Sequence, residues 1–237
     1  MVKSKLDVVQ WGTDRFRIGP WRGDAQTAYI APIAGRPAAI ATVEQCLRTL
    51  GGQGYHSVLT AALTVPEQEP FLELGFTVHE RLHLLRNDLH DIAPARDLHL
   101  RRGTPFDRAR VLGLDARAFD SFWRFDRQGL DDARRATPSS RFRVADGDGI
   151  TGYAITGRAG ALGYLQRLAV HPDHQQQGIG SALVVDALWW AKRRGAGAVL
   201  VNTQETNEVA LALYERLGFR SEPQGLAVLE RDLLWDS

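Results

Sequence analysis

The stretch His171–Val184, HPDHQQQGIGSALV, gives the clearest structural signal in this sequence of 237 residues. Before it, Leu162–Val170 is a mainly apolar run that predicts a strand, and Pro172 would stop that strand. After it, apolar residues recur from Ile179 at the spacing of an amphipathic helix. A strand therefore leads into a glycine loop, and the loop opens a helix.

The glycine loop is suited to hold an anion. Gly178 and Gly180 let the backbone come close to a ligand and adopt positive φ. The first N–H groups of a helix have no internal partner and lie at the positive end of its dipole. A phosphate or pyrophosphate can accept hydrogen bonds from these groups, and its negative charge is stabilised by the dipole. The loop has neither the Gly-Lys-Ser/Thr ending of a P-loop nor the spacing of a dinucleotide fold. Taken alone, it leaves a plain strand-to-helix turn as the alternative.

The rest of residues 97–237 predicts a mixed α/β unit. TNEVALALYERLGF (206–219) favours a second helix, with Thr206 or Asn207 as its cap and Gly218 as its stop. The other predicted elements are a strand at 97–104, helices within 106–120 and 129–138, a hairpin of 142–145 with 150–155, and strands at 198–201 and 226–233.

Residues 1–92 contain a weaker copy of this pattern. One constant offset places Leu74-Gly75-Phe76 on Leu217-Gly218-Phe219 and the strand around Val58 on the strand at Val201. It also places a helix at 38–50 on the helix after the glycine loop. The shared order of helix, strand and helix predicts a duplication, with units at 1–92 and 97–237 and a linker near 90–97.

Two motifs of the second unit resemble the GCN5-related N-acetyltransferase (GNAT) family. The first is Gln/Arg-x-x-Gly-x-Gly/Ala, here Gln175-Gln176-Gln177-Gly178-Ile179-Gly180. The second is Asn207, Ala210, Leu213-Tyr214-Glu215 and Gly218-Phe219. The resemblance covers about 97–235 and is most specific over 162–220. The whole chain resembles tandem members, which implies an α/β fold (α+β, mixed sheet) of two GNAT-like acyl-CoA N-acyltransferase units.

This resemblance implies acetyl-CoA as co-substrate. Its pyrophosphate would lie on the amides of Gln176–Ser181, and its pantetheine arm would pair with Leu168–Val170 as an added strand. The implied cofactor-binding residues are Leu168, Ala169, Val170, Gln175, Gln176, Gln177, Gly178, Ile179, Gly180, Ser181 and Asn207.

The first unit departs from the family pattern at the positions that would bind the co-substrate. The offset places Pro37, which has no N–H to donate, on Gly180 and Pro32 on Gln175. It also places Phe71 on Tyr214 and Thr64 on Asn207. We therefore expect a truncated, degenerate lobe that does not bind CoA.

The family chemistry is direct attack of an amine on the thioester in a ternary complex. The resemblance makes Tyr214 the acid that protonates the CoA thiolate, and a backbone N–H of Leu168–Val170 the donor to the oxyanion. The alternative for Tyr214 is a helix tyrosine packed on the sheet.

The general base has no clear candidate. Family members often place a glutamate at the positions of Gln166 or Asn202, but neutral amides cannot take a proton. Glu205 and His171 are the nearest titratable residues in the sequence. Alternatively, no strong base is needed, because an α-amino group has a pKa of about 7.7–8.0, against about 10.4 for lysine. This alternative favours an acceptor such as a peptide N-terminus.

Further polar and aromatic positions have a structural and a functional interpretation. Trp123, Phe125 and Asp126 lie where the family binds its acceptor, but they could equally be core residues. His171-Pro172-Asp173-His174 contains ligand types without a supporting cluster, so no metal site is expected.

Composition indicates a soluble protein without bulk-charge partners. The net charge is +1, so we expect neither nucleic acid nor membrane as a partner. The sequence has a single cysteine, Cys46, and we find no apolar leader and no apolar run long enough to span a bilayer. These observations favour a cytoplasmic location.

The predicted activity is N-acetyl transfer from acetyl-CoA to a primary amine of a peptide, a protein or a small molecule. The alternatives are a small-molecule amine acetyltransferase and a non-catalytic acyl-CoA-binding regulatory protein. The expected assembly is a monomer with an internal pseudo-dimer, or a homodimer.

Overall fold

The computed structural model describes residues 6–33, 35–94, 98–147 and 149–233. These residues form strands and α-helices in an alternating order, with two short 3₁₀ turns. The elements are β1 (Asp7–Trp11), β2 (Asp14–Pro20), β3 (Thr27–Pro32), α1 (Ile40–Gly52), β4 (Ser57–Thr60), α2 (Val65–Glu73), β5 (Thr77–Asn87), β6 (Leu100–Arg102), α3 (Arg108–Ala118), α4 (Arg127–Arg135), β7 (Ser139–Gly147), β8 (Gly149–Ala159), β9 (Leu162–Val170), α5 (Ile179–Arg193), β10 (Ala198–Gln204), α6 (Glu208–Arg216), β11 (Arg220–Ser221) and β12 (Leu226–Asp232).

The chain divides into two compact units. The first unit is Met1–His83 with Pro223–Ser237, and the second unit is Leu84–Glu222. The unit boundaries predicted at 92 and 97 come from the sequence repeat, not from the contacts within each unit, and they stay a prediction. Residues 95–97, at the end of the proposed linker, lie outside the described residues.

In the second unit, helices cover both faces of a mixed sheet. The strand order is β10-β9-β8-β7-β6, with β9 and β10 parallel and the other neighbours antiparallel. Alternate residues of β8 point to opposite faces. Ala154 packs in a cluster with Leu183 of α5, and Tyr153 packs in another cluster with Leu130 of α4. The mixed α/β class predicted from the sequence is therefore confirmed.

A β-bulge in β9 changes which residues face each side of the sheet. The register with β8 shifts between Leu165 and Arg167, so Gln166 is an extra residue on β9. Leu165 packs in the α5 cluster, whereas Ala169, beyond the bulge, packs in the α3/α4 cluster. The bulge thereby turns Arg167 toward α3.

The first unit repeats part of this architecture. Its strand order is β1-β2-β3-β4-β12-β5, with β3 and β4 parallel and the other neighbours antiparallel. The run predicted as a final strand is observed as β12, and it pairs between β4 and β5 of this unit. The core includes Phe16, Ile30, Leu47 and Phe71.

The repeat holds for the second helix of each unit but not for the loop before the first. The predicted offset places α2 directly on α6, and Thr64 and Asn207 are the respective N-caps. However, α1 begins at Ile40, later than the offset from α5 implies, and its N-cap is Ala39 rather than Gly35. The strand before this loop, β3, also ends later than the offset from β9 implies, so single-residue matches within the loop do not hold. The truncated, degenerate character of the first unit stays a prediction.

The start of α1 is occupied by a carboxylate of the chain itself. Asp14 Oδ2 accepts hydrogen bonds from the Ala39 N–H (2.9 Å) and the Thr42 hydroxyl (3.0 Å), and Asp14 Oδ1 accepts one from Arg36 Nη2 (2.7 Å). The bond from the Ala39 amide is the main cause that lowers the pKa of Asp14, although burial opposes it. An internal anion therefore satisfies the positive end of this helix.

We expect Asp14→Ala to lower the free energy of unfolding by about 0.5–2 kcal/mol, because the start of α1 loses the side chain that caps it. Since folding lowers the pKa of Asp14, its contribution is present above the ordinary value near 3.9 and is lost as the pH falls through the folded value. Urea denaturation followed by circular dichroism at pH 7 and pH 3 measures both effects.

Asp88→Ala is the control, because Asp88 pairs with Arg86 at an exposed site. Such a substitution costs little stability. Equal losses in the two variants would contradict a capping role for Asp14.

Candidate functional site

The glycine loop has a left-handed backbone at two positions. Gln176 has a φ of +60° and Gly178, the N-cap of α5, has a φ of +84°. A short 3₁₀ turn, Pro172–His174, leads from β9 into the loop. Side chains of Gln175, Gln176 and Gln177 are exposed, so the backbone lies at the surface.

A run of amides in this loop has no protein acceptor. The Gln175 N–H donates to the Pro172 carbonyl, and the Ala182 N–H donates to the Gly178 carbonyl. Between them, among the residues that the structure describes, no hydrogen bond begins at a backbone N–H of 176–181. These amides and the helix dipole form a site for an anion. In α1 the corresponding position is filled by Asp14.

Strand β9 has an open edge next to this loop. Its pairing with β10 joins Leu162–Tyr164 to Ala198–Leu200, and in the described chain the register goes no further. Residues Leu168–Val170 are paired with β8 on their other side. An extended ligand can therefore add to β9 as a strand does. The open edge and the free amides follow each other along the chain.

Three elements meet at Gly180. A Cβ placed on Gly180 would lie 3.2 Å from Leu213 Cδ2 of α6 and 3.6 Å from Val170 Cγ2 of β9. The start of α5, the end of β9 and the α6 turn that carries Tyr214 are thus neighbours. The predicted loop, strand and α6 residues lie in one region.

Tyr214 is buried on α6 and is a neutral phenol. It is 5% exposed and packs against Phe219, with ring centroids 5.4 Å apart. Burial raises the pKa of Tyr214 above its ordinary value, and the positive charge of Arg167 opposes this effect. A phenol that keeps its proton can donate it. Asn207 Oδ1 caps the same helix by accepting from the Ala210 N–H at 3.1 Å.

The two predicted positions for a carboxylate hold amides in different surroundings. Gln166 lies in the bulge, and its Oε1 is buried without a hydrogen-bond partner among the described residues. Gly157 leaves room for it, because a Cβ there would lie 2.5 Å from Gln166 Nε2. Asn202 is exposed on β10.

The two titratable candidates for the base are placed differently. Glu205 is exposed after β10. His171 Nε2 lies 2.8 Å from Arg117 Nη1, which can only donate, so Nε2 accepts there and Nδ1 carries the N–H of the neutral ring. The guanidinium occupies the lone pair on which Nε2 would receive a proton. This geometry disfavours His171 as the base.

The predicted acceptor residues belong to the segment that joins α3 and α4. We call residues 119–126 the α3–α4 segment. Asp126 is the N-cap of α4 and accepts from the Gly129 N–H at 2.6 Å. Phe125 packs on the cluster of α3 and α4. Trp123 contributes its carbonyl oxygen to a contact with Arg167.

Sequence reasoning missed a buried ion pair beside this segment. Asp115 is 0% exposed and Arg167 is 8% exposed. The sequence signal was available for Asp115, which follows Leu114 and is one helical turn beyond Val111, on the apolar face of α3. A charged residue at such a position requires a partner.

No metal cluster or membrane-spanning helix is found in the described part of the chain. No group of three or more His, Cys, Asp or Glu side chains there could hold a metal ion. None of its helices combines the length and apolar character needed to cross a bilayer.

Comparison with known proteins finds a family profile that matches the second unit. The profile of the acetyltransferase (GNAT) family matches residues 109–219. A mycothiol acetyltransferase from Rhodococcus jostii (strain RHA1) is 30% identical over 183 residues, which cover 69% of this chain and 59% of that protein. The ribosomal protein bS18-alanine N-acetyltransferase of Escherichia coli (strain K12) is 33% identical over 78 residues, which cover 33% of this chain and 53% of that protein. The matched parts thus span less than two thirds of either relative.

A solved structure shares the fold of the whole chain. A tandem GNAT protein from the clavulanic acid biosynthesis pathway, without AcCoA, has a TM-score of 0.74. It is 16% identical, and the match covers 100% of this chain and 86% of that one. Residues 109–219 match the GNAT acetyltransferase family, as the two sequence motifs predict, and the chain shares the fold of a tandem GNAT protein.

The raised pKa of Tyr214 predicts a late alkaline titration. An exposed tyrosine ionises near pH 10. We expect the tyrosinate absorbance of native wild-type protein and of Tyr214→Phe to coincide up to about pH 10, because the buried phenol stays neutral over that range. An extra ionising group in the wild type below pH 10 would show that Tyr214 is solvated.

Proposed function

We propose that this protein transfers the acetyl group of acetyl-CoA to a primary amine. The observation that carries the proposal is the open edge of β9 at Leu168–Val170, which continues into the free amides of 176–181. A strand edge suits the amides of pantetheine, and an anion site beyond it suits a pyrophosphate. The GNAT family domain supports acetyl-CoA as the donor.

Each element of the site has a proposed role. The amides of 176–181 would hold the pyrophosphate, with the glycines allowing close approach. The edge of Leu168–Val170 would align the pantetheine, and one of its N–H groups would donate to the oxyanion. Asn207 would contact the co-substrate from the start of α6.

The reaction needs one proton donor and one proton acceptor. The amine nitrogen attacks the thioester carbon, the carbon–sulfur bond breaks, and Tyr214 would give its proton to the departing thiolate. The amine releases a proton to solvent, and the tyrosinate recovers one. Burial keeps the Tyr214 phenol protonated, which is the form a proton donor needs, although a raised pKa also makes the phenol a weaker acid.

The amides at Gln166 and Asn202, in place of a carboxylate, support one acceptor class. An amide cannot remove the proton of a charged amine, so the acceptor must supply its neutral form. An α-amino group next to a carbonyl, with a pKa of about 7.7–8.0, does so near neutral pH. We therefore propose an aminoacyl acceptor, either a peptide N-terminus or a small molecule. The names of the two relatives include one acceptor of each kind.

A second candidate is a non-catalytic acyl-CoA-binding protein. The amides at Gln166 and Asn202 favour this candidate, because neither side chain can act as a general base. It predicts binding of acetyl-CoA without release of thiol.

Calorimetric titration tests the binding site. We expect one equivalent of acetyl-CoA to bind the wild type, because Asp14 closes the start of α1 in the first unit. Gly180→Pro should bind at least about tenfold more weakly, since the first turn of a helix accepts proline but loses one N–H. Gly160→Ala is the control, because Gly160 lies in the β8–β9 turn, outside the glycine loop; unlike Gly180, which does not adopt the positive φ expected from the sequence, Gly160 has a φ of +57°.

The number of bound equivalents separates the outcomes. Two equivalents would show that the first unit also binds. No binding by the wild type would contradict the proposed function altogether.

Thiol release with an amine panel tests the chemistry. Tyr214→Phe should lower kcat about 10²-fold or more, whereas Tyr164→Phe, which removes a hydroxyl from the paired part of β9, should not. At pH 7.5 an alanyl amide should react roughly 10²-fold faster than an Nα-blocked lysine, from the neutral fractions of the two amines. Equal rates would contradict the aminoacyl acceptor class, and no release with any amine would favour the second candidate.

A further inference from the structure

We propose that Arg167 is the positioning residue of the acceptor side, and this rests on the proposed function. Its guanidinium holds the α3–α4 segment against β9, the strand that would align the thioester. The binding of the amine, rather than the binding of acetyl-CoA, then depends on Arg167.

Arg167 forms a bidentate pair with a fully buried carboxylate. Arg167 Nε donates to Asp115 Oδ2 (2.8 Å) and Arg167 Nη2 donates to Asp115 Oδ1 (2.7 Å). The hydroxyl of Tyr153 also donates to Asp115 Oδ2, and the Phe125 N–H donates to Asp115 Oδ1 at 2.7 Å. The carboxylate therefore accepts four hydrogen bonds, and one of them comes from the α3–α4 segment itself.

The same guanidinium contacts the α3–α4 segment directly at three residues. Its Nη2 donates to the Trp123 carbonyl at 2.7 Å. Its central carbon lies 3.4 Å from the ring centroid of Phe119 and 4.0 Å from that of Phe125. Cation–π attraction is strongest for a desolvated cation such as this one. Arg167 thus binds both ends of the segment and its middle.

The α3–α4 segment needs such an anchor because it has little regular structure. Within it, the Trp123 N–H donates to Asp120 Oδ1 at 3.1 Å, and the Arg124 N–H donates to the Asp120 carbonyl. A connecting segment of this kind takes its position from the scaffold that it contacts. Arg167 comes from that scaffold, directly after the extra residue of the bulge.

The position of Arg167 on β9 connects the edge proposed for pantetheine with the α3–α4 segment, where the GNAT resemblance places the acceptor. The residues that follow it, Leu168–Val170, form the open edge. A single strand would then set the distance between the thioester and the wall of the acceptor site. Lysine cannot replace arginine in this role, because an ammonium has neither the planar fork for Asp115 nor the flat face for two rings.

A second arginine–aspartate pair provides a matched control. Arg141 Nε and Nη2 donate to Asp186 at 2.8 and 2.9 Å, and this pair joins β7 to α5 within the same unit. It does not involve the α3–α4 segment. A general loss of stability would affect both pairs, whereas a positioning effect is specific to Arg167.

The test compares Arg167→Lys with Arg141→Lys in the full-length protein. We expect Arg167→Lys to raise the KM for an alanyl amide about tenfold or more, while the calorimetric Kd for acetyl-CoA changes by less than about threefold. Trypsin should cleave native Arg167→Lys after the exposed Arg124 at least about tenfold faster than wild type. Arg141→Lys should change none of the three values.

Other results would overturn the proposal. Arg167 has no positioning role if Arg167→Lys changes the amine KM and the acetyl-CoA Kd in parallel. The same conclusion follows if the amine KM and the cleavage rate do not change. If Arg167→Lys does not fold, Phe119→Leu keeps the ion pair and removes one stacking face. That variant should raise the same KM and cleavage rate, and unchanged values would again overturn the proposal.

The proposed function and the role of Arg167 can be contradicted by different results. A wild-type protein that neither binds acetyl-CoA nor releases thiol would contradict the proposed function. The trypsin comparison does not depend on activity, so it would still show whether Arg167 holds the α3–α4 segment.

Discussion

The parting of strands β9 and β10 is the constraint on which the site depends. The two strands pair through Leu162–Tyr164 and then separate, which leaves the backbone of Leu168–Val170 without a partner strand on that side in the described structure. An unpaired edge inside a sheet is unfavourable unless something occupies it. The bulge at Gln166 lies where the edge begins, and it turns Arg167 toward α3 while β9 continues toward the glycine loop. The proposed binding of acetyl-CoA and the proposed positioning of the α3–α4 segment thus both depend on the irregular strand β9.

The two helix starts show how similar architectures can differ in binding. In the second unit, the amides of 176–181 point to no protein acceptor in the described chain. In the first unit, the equivalent helix start has a carboxylate from β2, held by Ala39, Thr42 and Arg36. The same positive helix end is therefore available to a ligand in one unit and neutralised from within in the other. The carboxylate of Asp14 and a different loop backbone before the helix separate the two cases.

The sequence predicted the parts of the site that depend on local patterns. The glycine loop, α5 and α6 follow from periodicity, glycine positions and capping residues, and these elements lie close to their predicted bounds. Three features were not predicted: the bulge in β9, the Asp14 cap and the Arg167–Asp115 pair. Each depends on contacts between residues that are far apart in the chain. The loop before α1 was misaligned because a constant offset cannot represent the different spacing between the first and second helices of the two units. Asp115 was the exception, since its position on the apolar face of α3 was visible beforehand.

Strand β12 gives the chain an unusual order of completion. It lies between β4 and β5, yet its residues follow the entire second unit in the sequence. During synthesis, the second unit can collapse while the sheet of the first unit still lacks an interior strand. The earlier unit is therefore the last to become complete, and until then β4 and β5 expose edges that other chains could bind. Chaperone dependence and sensitivity to incomplete translation should be concentrated in the half that the ribosome produces first.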